Sequence, residues 1–193
     1  MKTKIKNLIV LMLMCCISIM SFIARNSGTI RNCNVSGLSL YGNGDIGGIA
    51  GASYGGLISY CFAQNMKAYL YIVQANRSIG AIAGYINSGA IVEYCYGINT
   101  SLIFDGYSEI AWNAIAPKMG KIVGSMNGST IRNVSLSGII LDPGSLPEKT
   151  NNGSIFNSWY YPRKYIGAFG NGACGNAVNG YTITNTSWTP SSK

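Results

Sequence analysis

Reactive side chains are few in this chain, and their spacing limits the chemistry open to them. Cysteine occurs at Cys15, Cys16, Cys33, Cys61, Cys95 and Cys174, and the first two fall in an apolar leader. Cys33, Cys61 and Cys95 sit in the phrases GTIRNCNVSG, GLISYCFAQN and GAIVEYCYGIN, which share one repeat phase. Thiols stacked at the strand spacing of about 4.8 Å fall within the Cα range of disulfides, roughly 4.4 to 6.8 Å. In-register parallel strands nevertheless rarely turn their Cβ atoms toward one another. Val134 continues the row as an ordinary apolar residue, so a buried thiol ladder is the leading expectation, with a disulfide as its alternative. The chain has no histidine and no C-x-x-C pair, so neither a metal site nor a cofactor is expected.

Asp45, Glu93, Asp105, Glu109, Asp142 and Glu148 are the only carboxylates. Polysaccharide hydrolysis or elimination needs converging carboxyls, or a bound cation and a base. No two of the six stand at matching repeat positions, and only Asp105 and Glu109, in one insertion, are placed to meet. No catalytic residue is therefore assigned and a non-enzyme is expected; a carbohydrate-active β-helix enzyme is the rival class. Recognition chemistry is better supplied. The segment from Phe156 to Tyr165 interleaves Phe156, Trp159, Tyr160 and Tyr161 with Arg163 and Lys164, a mixture that stacks on sugar rings or pairs with anionic groups. Trp112 and Tyr107, in a second insertion, invite the same reading. The alternative for both segments is that their aromatics fold back as cover over the open side of a coil.

Stepping outward, these residues hang on a repeat. GGIAG at 47 to 51, GAIAG at 80 to 84, GKIVG at 120 to 124 and a shorter GAFG at 167 to 170 recur beside the cysteine-bearing phrases. A period of about 20 to 50 residues marks units that share one core only by stacking. The coils run about 28–54, 55–87, 88–127 and 128–172, with a partial fifth at 173–193, in one domain from 25 to 193. Three apolar runs per coil predict three strands per turn. The fold class expected is all-β: a right-handed parallel β-helix or β-solenoid of four to five short coils.

In that arrangement Ile49, Ile82, Ile122 and Phe169 form one buried row. Ile30, Ile58, Val92 and Ile131 form a second, and Cys33, Cys61, Cys95 and Val134 a third. The flanking glycines, Gly47, Gly51, Gly80, Gly84, Gly120, Gly124, Gly167 and Gly170, permit either positive φ or close backbone approach. The opening glycines lie at 47, 80, 120 and 167, so the intervals are 33, 40 and 47 residues. The growth enters at one point of the coil, which directs attention to one face as the binding face.

Composition agrees with this picture. Charged residues make up 10%, with 25 glycines and 13 tyrosines, which disfavours helices laced with ion pairs. MKTKIKN followed by the apolar run Leu8 to Ala24 has the layout of a secretory signal, with an uncleaved N-terminal anchor as the alternative. A lipidated Cys15 is disfavoured because Met14 stands where a small residue is wanted. Residues 1–24 are thus a signal or anchor, and the localisation expected is secreted or cell surface. Removing Lys2, Lys4 and Lys6 from 14 basic residues leaves 11 against 6 acidic, a net +5 that is too scattered for a nucleic-acid footprint. Membrane contact is expected only through the N-terminal segment. Seven N-x-S/T sequons occur, of which Asn76 and Asn152, in corners or loops, are the favoured acceptors.

The bracketed dipeptides GGIAG, GAIAG and GKIVG, with GTIRNC as the paired phrase, resemble the GLUG-motif repeats of bacterial and some protist surface proteins. The resemblance covers about residues 28 to 138. It implies a secreted or surface-anchored, adhesin-like repeat module, with a structural or binding role and no catalytic residues. The partners implied are a glycan or a host or neighbouring surface protein. Open solenoid ends add self-association, and hence a structural or assembly spacer, as a further possibility.

Overall fold

The structure, a computed structural model, describes residues 25–72, 77–107, 118–144, 150–151, 159–160 and 165–189. Every regular element among the described residues is a β-strand, and no α-helix occurs there. The second repeat shows how the pattern arises. It contains Leu57–Ser59, Phe62–Gln64, Lys67–Ile72, Ser78–Gly80 and Ala83–Asn87, five strands where three were expected. The additional breaks have local causes. Within GLISYCFAQN, Tyr60 takes a left-handed φ of 54° and separates the first two strands. Within SIGAIAGYIN, a bend at Ala81 and Ile82 separates the last two.

Each of these five strands pairs in parallel with its equivalents one repeat earlier and later. Arg25–Asn26, Ala50–Tyr54, Ala83–Asn87, Val123–Asn127 and Cys174–Val178 make one five-stranded sheet. Ser39–Gly42, Lys67–Ile72, Ser101–Tyr107 and Ile140–Asp142 make a second, and Ile46–Gly47, Ser78–Gly80 and Lys118–Gly120 a third. Between the first two lies the sheet of cysteine-bearing phrases, closed at one edge by Thr182–Thr189 against Thr130–Ser137. Each passage through these sheets forms one tier, an arrangement consistent with a β-helix or solenoid.

Corner residues stack as strictly as strands do. Gly55, Ser88, Gly128 and Asn179 all have positive φ and follow residues paired across the first sheet. They mark the tier boundaries. The expected starts at 55, 88 and 128 fall on these corners, whereas the fourth tier runs on to Asn179 and not to 172. Tier lengths, taken as 88 − 55, 128 − 88 and 179 − 128, are 33, 40 and 51 residues. Most of the growth enters at one corner, before the third sheet, through connections 43–45, 73–77 and 108–117 and the stretch 143–165. Ile166 then bridges Met119 and resumes the stack.

The core is built of columns. Ile58, Val92 and Ile131 are fully buried in one, with Ile30 and Ile183 partly covered at its ends. Cys61, Cys95 and Val134 are buried in a second, and Cys33, at the end of that column among the described residues, is half-covered. Ile82 and Ile122 are fully buried, and Ile49 partly.

Phe169 does not continue this last column. Val123 pairs with Cys174, and the Ala173 carbonyl accepts the Ile122 N–H at 3.0 Å, so the next member is Ala173. Gly167 does align with Gly120, but the chain then loops out through Gly170, Asn171 and Gly172, all at positive φ, and Phe169 bridges Cys174 antiparallel. Gly175, not Gly170, closes the bracket. The fourth copy is therefore longer than the third, its bracketing glycines lying 175 − 167 = 8 positions apart against 124 − 120 = 4. None of Gly47, Gly51, Gly80, Gly84, Gly120 and Gly124 has positive φ, and at all of these but Gly51 an added Cβ would run into backbone, so the role of those five is close approach. A Cβ on Gly84 would lie 2.5 Å from the Ile46 nitrogen, and one on Gly175 2.5 Å from the Tyr165 carbonyl oxygen.

Candidate functional site

Because Cys61 and Cys95 point inward, the residues on either side of each must point out. Those residues are aromatic. Tyr60 and Tyr94 stack with centroids 4.9 Å apart and planes 10° from parallel; Phe62 and Tyr96 stack at 4.8 Å and 8°. All four are 37% to 44% exposed, so their edges meet solvent although each gives one face to its neighbour. Tyr60 and Tyr94 occupy a left-handed corner column whose other members are Asn32, Asn133 and Asn185. Phe62 and Tyr96 occupy the parallel column Asn34, Phe62, Tyr96, Ser135 and Ser187.

The ladder is finished differently at its two ends. Upstream, the Arg31 guanidinium lies over the Tyr60 ring at 5.8 Å, and its Nε donates to Ser59 Oγ at 2.9 Å. Downstream, the rungs shrink to Asn133, Ser135, Asn185 and Ser187, and the Asn185 amide donates to Asn133 Oδ1 at 2.9 Å. Alongside runs a polar column in which Arg132 Nε donates to Glu93 Oε2 at 2.8 Å, so that the two charges neutralise one another. A second stack, Tyr41 on Tyr69 at 4.4 Å, lies on the adjoining sheet.

The thiols are free: Cys33, Cys61, Cys95 and Cys174 form no disulfide. Cys61 donates to the Ser59 carbonyl at 3.2 Å, and Cys95 to the Glu93 carbonyl at 3.2 Å. The hydrogen bond linking Cys95 to Cys61, with burial, holds the Cys95 thiol above its ordinary range. Burial likewise pushes Cys33 up, and Cys174 up to about 12. The hydrogen bonds from Cys95 and Cys33 instead draw the Cys61 thiol down to about 7, so only Cys95 and Cys174 are protonated, inert core thiols.

Three carboxylates have separate partners, while Glu109 and Glu148 lie outside the described residues. Glu93 is bound to Arg132, and Asp142 Oδ1 accepts the Gly144 N–H at 2.8 Å. Asp45 Oδ1 accepts the Ser78 N–H at 3.0 Å below the insertion corner, where Asp45, Ser78 and Lys118 share one column. Burial raises Asp45, partly offset by Arg77, and lowers Lys118. Among the described residues no cluster of potential metal ligands occurs.

Of the aromatic and basic residues singled out in the sequence, Trp112, Phe156, Tyr161, Arg163 and Lys164 lie outside the described residues, as do Asn76, Asn152 and residues 1–24. Trp159 and Tyr160 form a two-residue strand, antiparallel to Thr150–Asn151. The ladder of Tyr60, Phe62, Tyr94 and Tyr96 was the surface left unassigned. Its signal was present in the phrases Y-C-F and Y-C-Y, since aromatics flanking an inward cysteine face outward. Comparison with protein-family models, curated proteins and solved structures finds no match for this chain.

Proposed function

We propose that this chain is an exported, non-catalytic binding module of the GLUG-repeat kind, a small right-handed β-solenoid that engages glycans at a cell surface through its outward aromatic ladder. One observation carries the reading. Asparagine fills the left-handed corner at positions 32, 133 and 185, where its short polar side chain tolerates that conformation. Tyrosine fills the same corner at 60 and 94, at a conformational cost of about 1 kcal/mol or more each. Rings placed at that cost, half-exposed and stacked, are explained by recognition better than by folding. Export is supported by the lysine-led apolar leader, and a non-enzyme by the separate local contacts of Asp45, Glu93 and Asp142.

The test uses substitutions that restore the corner residue. Tyr60→Asn with Tyr94→Asn should keep thermal stability within about 1 kcal/mol, because relieved backbone strain offsets lost stacking. The same variant should lose binding on a glycan array and to intact cells. A parallel Trp159→Ala, Tyr160→Ala variant separates the ladder from the long insertion. Full binding by the first variant and none by the second would move the site to the insertion; no binding by the unsubstituted protein would defeat the reading.

A further inference from the structure

Parallel stacking consumes ring faces, so a ladder offers flat aromatic surface only where it ends. Upstream, Tyr60 is covered by Arg31, and Phe62 has Asn34 in register with it. At the downstream end of the neighbouring column Tyr96 is followed by Ser135 and then Ser187, both in register with it. The preceding rung spacing is 4.8 Å, and serine has no ring to fill the next one. Tyr96 therefore presents a downstream face above a floor of two serines. The corner amides Asn133 and Asn185, tied to one another, stand on one side, and Ser137 on the other. Arg132 and Glu93, three residues before Ser135 and Tyr96, are spent on each other at 2.7 Å.

We infer that this vacant rung is a stacking slot for one neutral pyranose ring, which lies on Tyr96 as the next member of the ladder. A pyranose has an apolar C–H face and a hydroxyl rim. The slot answers the face with a tyrosine ring and the rim with serine hydroxyls and asparagine amides, a pairing of flat apolar surface with a few neutral polar groups. An anionic sugar gains no matching cation here, because Arg132 is already engaged. The inference rests on the glycan-binding reading above and narrows it to one position and one ligand class.

Filling the rung from the protein side tests this directly. In the full chain, Ser135→Tyr adds the missing ring, which should stack on Tyr96 and leave the melting temperature equal or higher. Binding is measured by calorimetry against a panel of neutral hexaoses built from glucose, N-acetylglucosamine and galactose. At least one should bind the unsubstituted protein, and Ser135→Tyr should weaken it at least tenfold. Tyr96→Leu, which keeps apolar bulk without a flat face, should do the same and serves if Ser135→Tyr does not fold. A hexaose bound equally by the unsubstituted protein and both variants overturns the slot and leaves glycan binding standing. No hexaose bound, with acidic oligosaccharides bound instead, overturns the neutral-sugar slot alone; no glycan bound at all overturns both.

Discussion

One methyl group distinguishes two kinds of glycine in this chain. Gly80 lies where a Cβ would run into the Ala83 and Ile122 carbonyls, both backbone atoms that neighbouring tiers hold in place. Gly89 has φ of 78° and open space around it. Gly80→Ala should therefore cost about 3 kcal/mol through overpacking, and Gly89→Ala about 1 kcal/mol through backbone strain alone, as read from urea unfolding. Cys174 adds a pH dependence. Its folded-state value is raised from 9.0 to about 12, so the folded protein keeps a proton that the unfolded chain releases. The associated stability is full below pH 9 and is lost as pH rises toward 12. At pH 11 the loss from this group is about 2 to 3 kcal/mol. Unfolding at pH 8 and pH 11 should show a smaller decline for Cys174→Ala, since tyrosine titration is common to both proteins. In native protein an alkylating reagent should modify Cys33 first, with Cys61, Cys95 and Cys174 reacting only on unfolding.

At the scale of elements, columns decide which substitutions matter. Ile82 is fully buried between equivalents above and below, so Ile82→Asp should abolish cooperative unfolding, while Ile82→Ala should cost about 2 to 5 kcal/mol. Unchanged melting in the aspartate variant would remove Ile82 from the core. The columns were legible in the sequence because isoleucine and cysteine recur at one phase of phrases whose length hardly varies. Strand number was not legible, since Tyr60 sits inside an unbroken apolar phrase and only its left-handed φ splits it. The fourth bracket misled for a related reason. GAFG imitates the motif in composition, whereas the true close is Gly175, reached after a loop that composition alone does not reveal. The aromatic ladder was legible in principle from residues flanking the cysteines, but Y-C-F also reads as core until the inward direction of Cys61 is known.

Across the whole molecule, length variation is confined mainly to one corner. The connection before the third sheet is 43–45 in the first tier and 108–117 in the third, yet the strand after it stays in register and the strand before it departs only by a shift between Phe104 and Tyr107. Replacing 108–117 by a three-residue connection like 43–45 should preserve β-sheet circular dichroism and a single unfolding transition. Collapse of both would show that the insertion is part of the core. Export makes a separate prediction: protein recovered from the medium of a secreting host should have an intact mass lacking residues 1–24, and retention of that mass in a membrane fraction would favour an anchor.

A stack of parallel tiers has no internal dyad, so its two ends can never be equivalent. Here one ring column begins under an arginine and its neighbour ends above a serine. Tandem duplication of the tier 55–87 would insert another Tyr and Phe between these termini and lengthen both stacks. It would leave the arginine at the head of one column and the serines at the tail of the other. Contact area can thus grow by copying a tier while the arginine cap and the serine floor keep their places at opposite poles of the molecule.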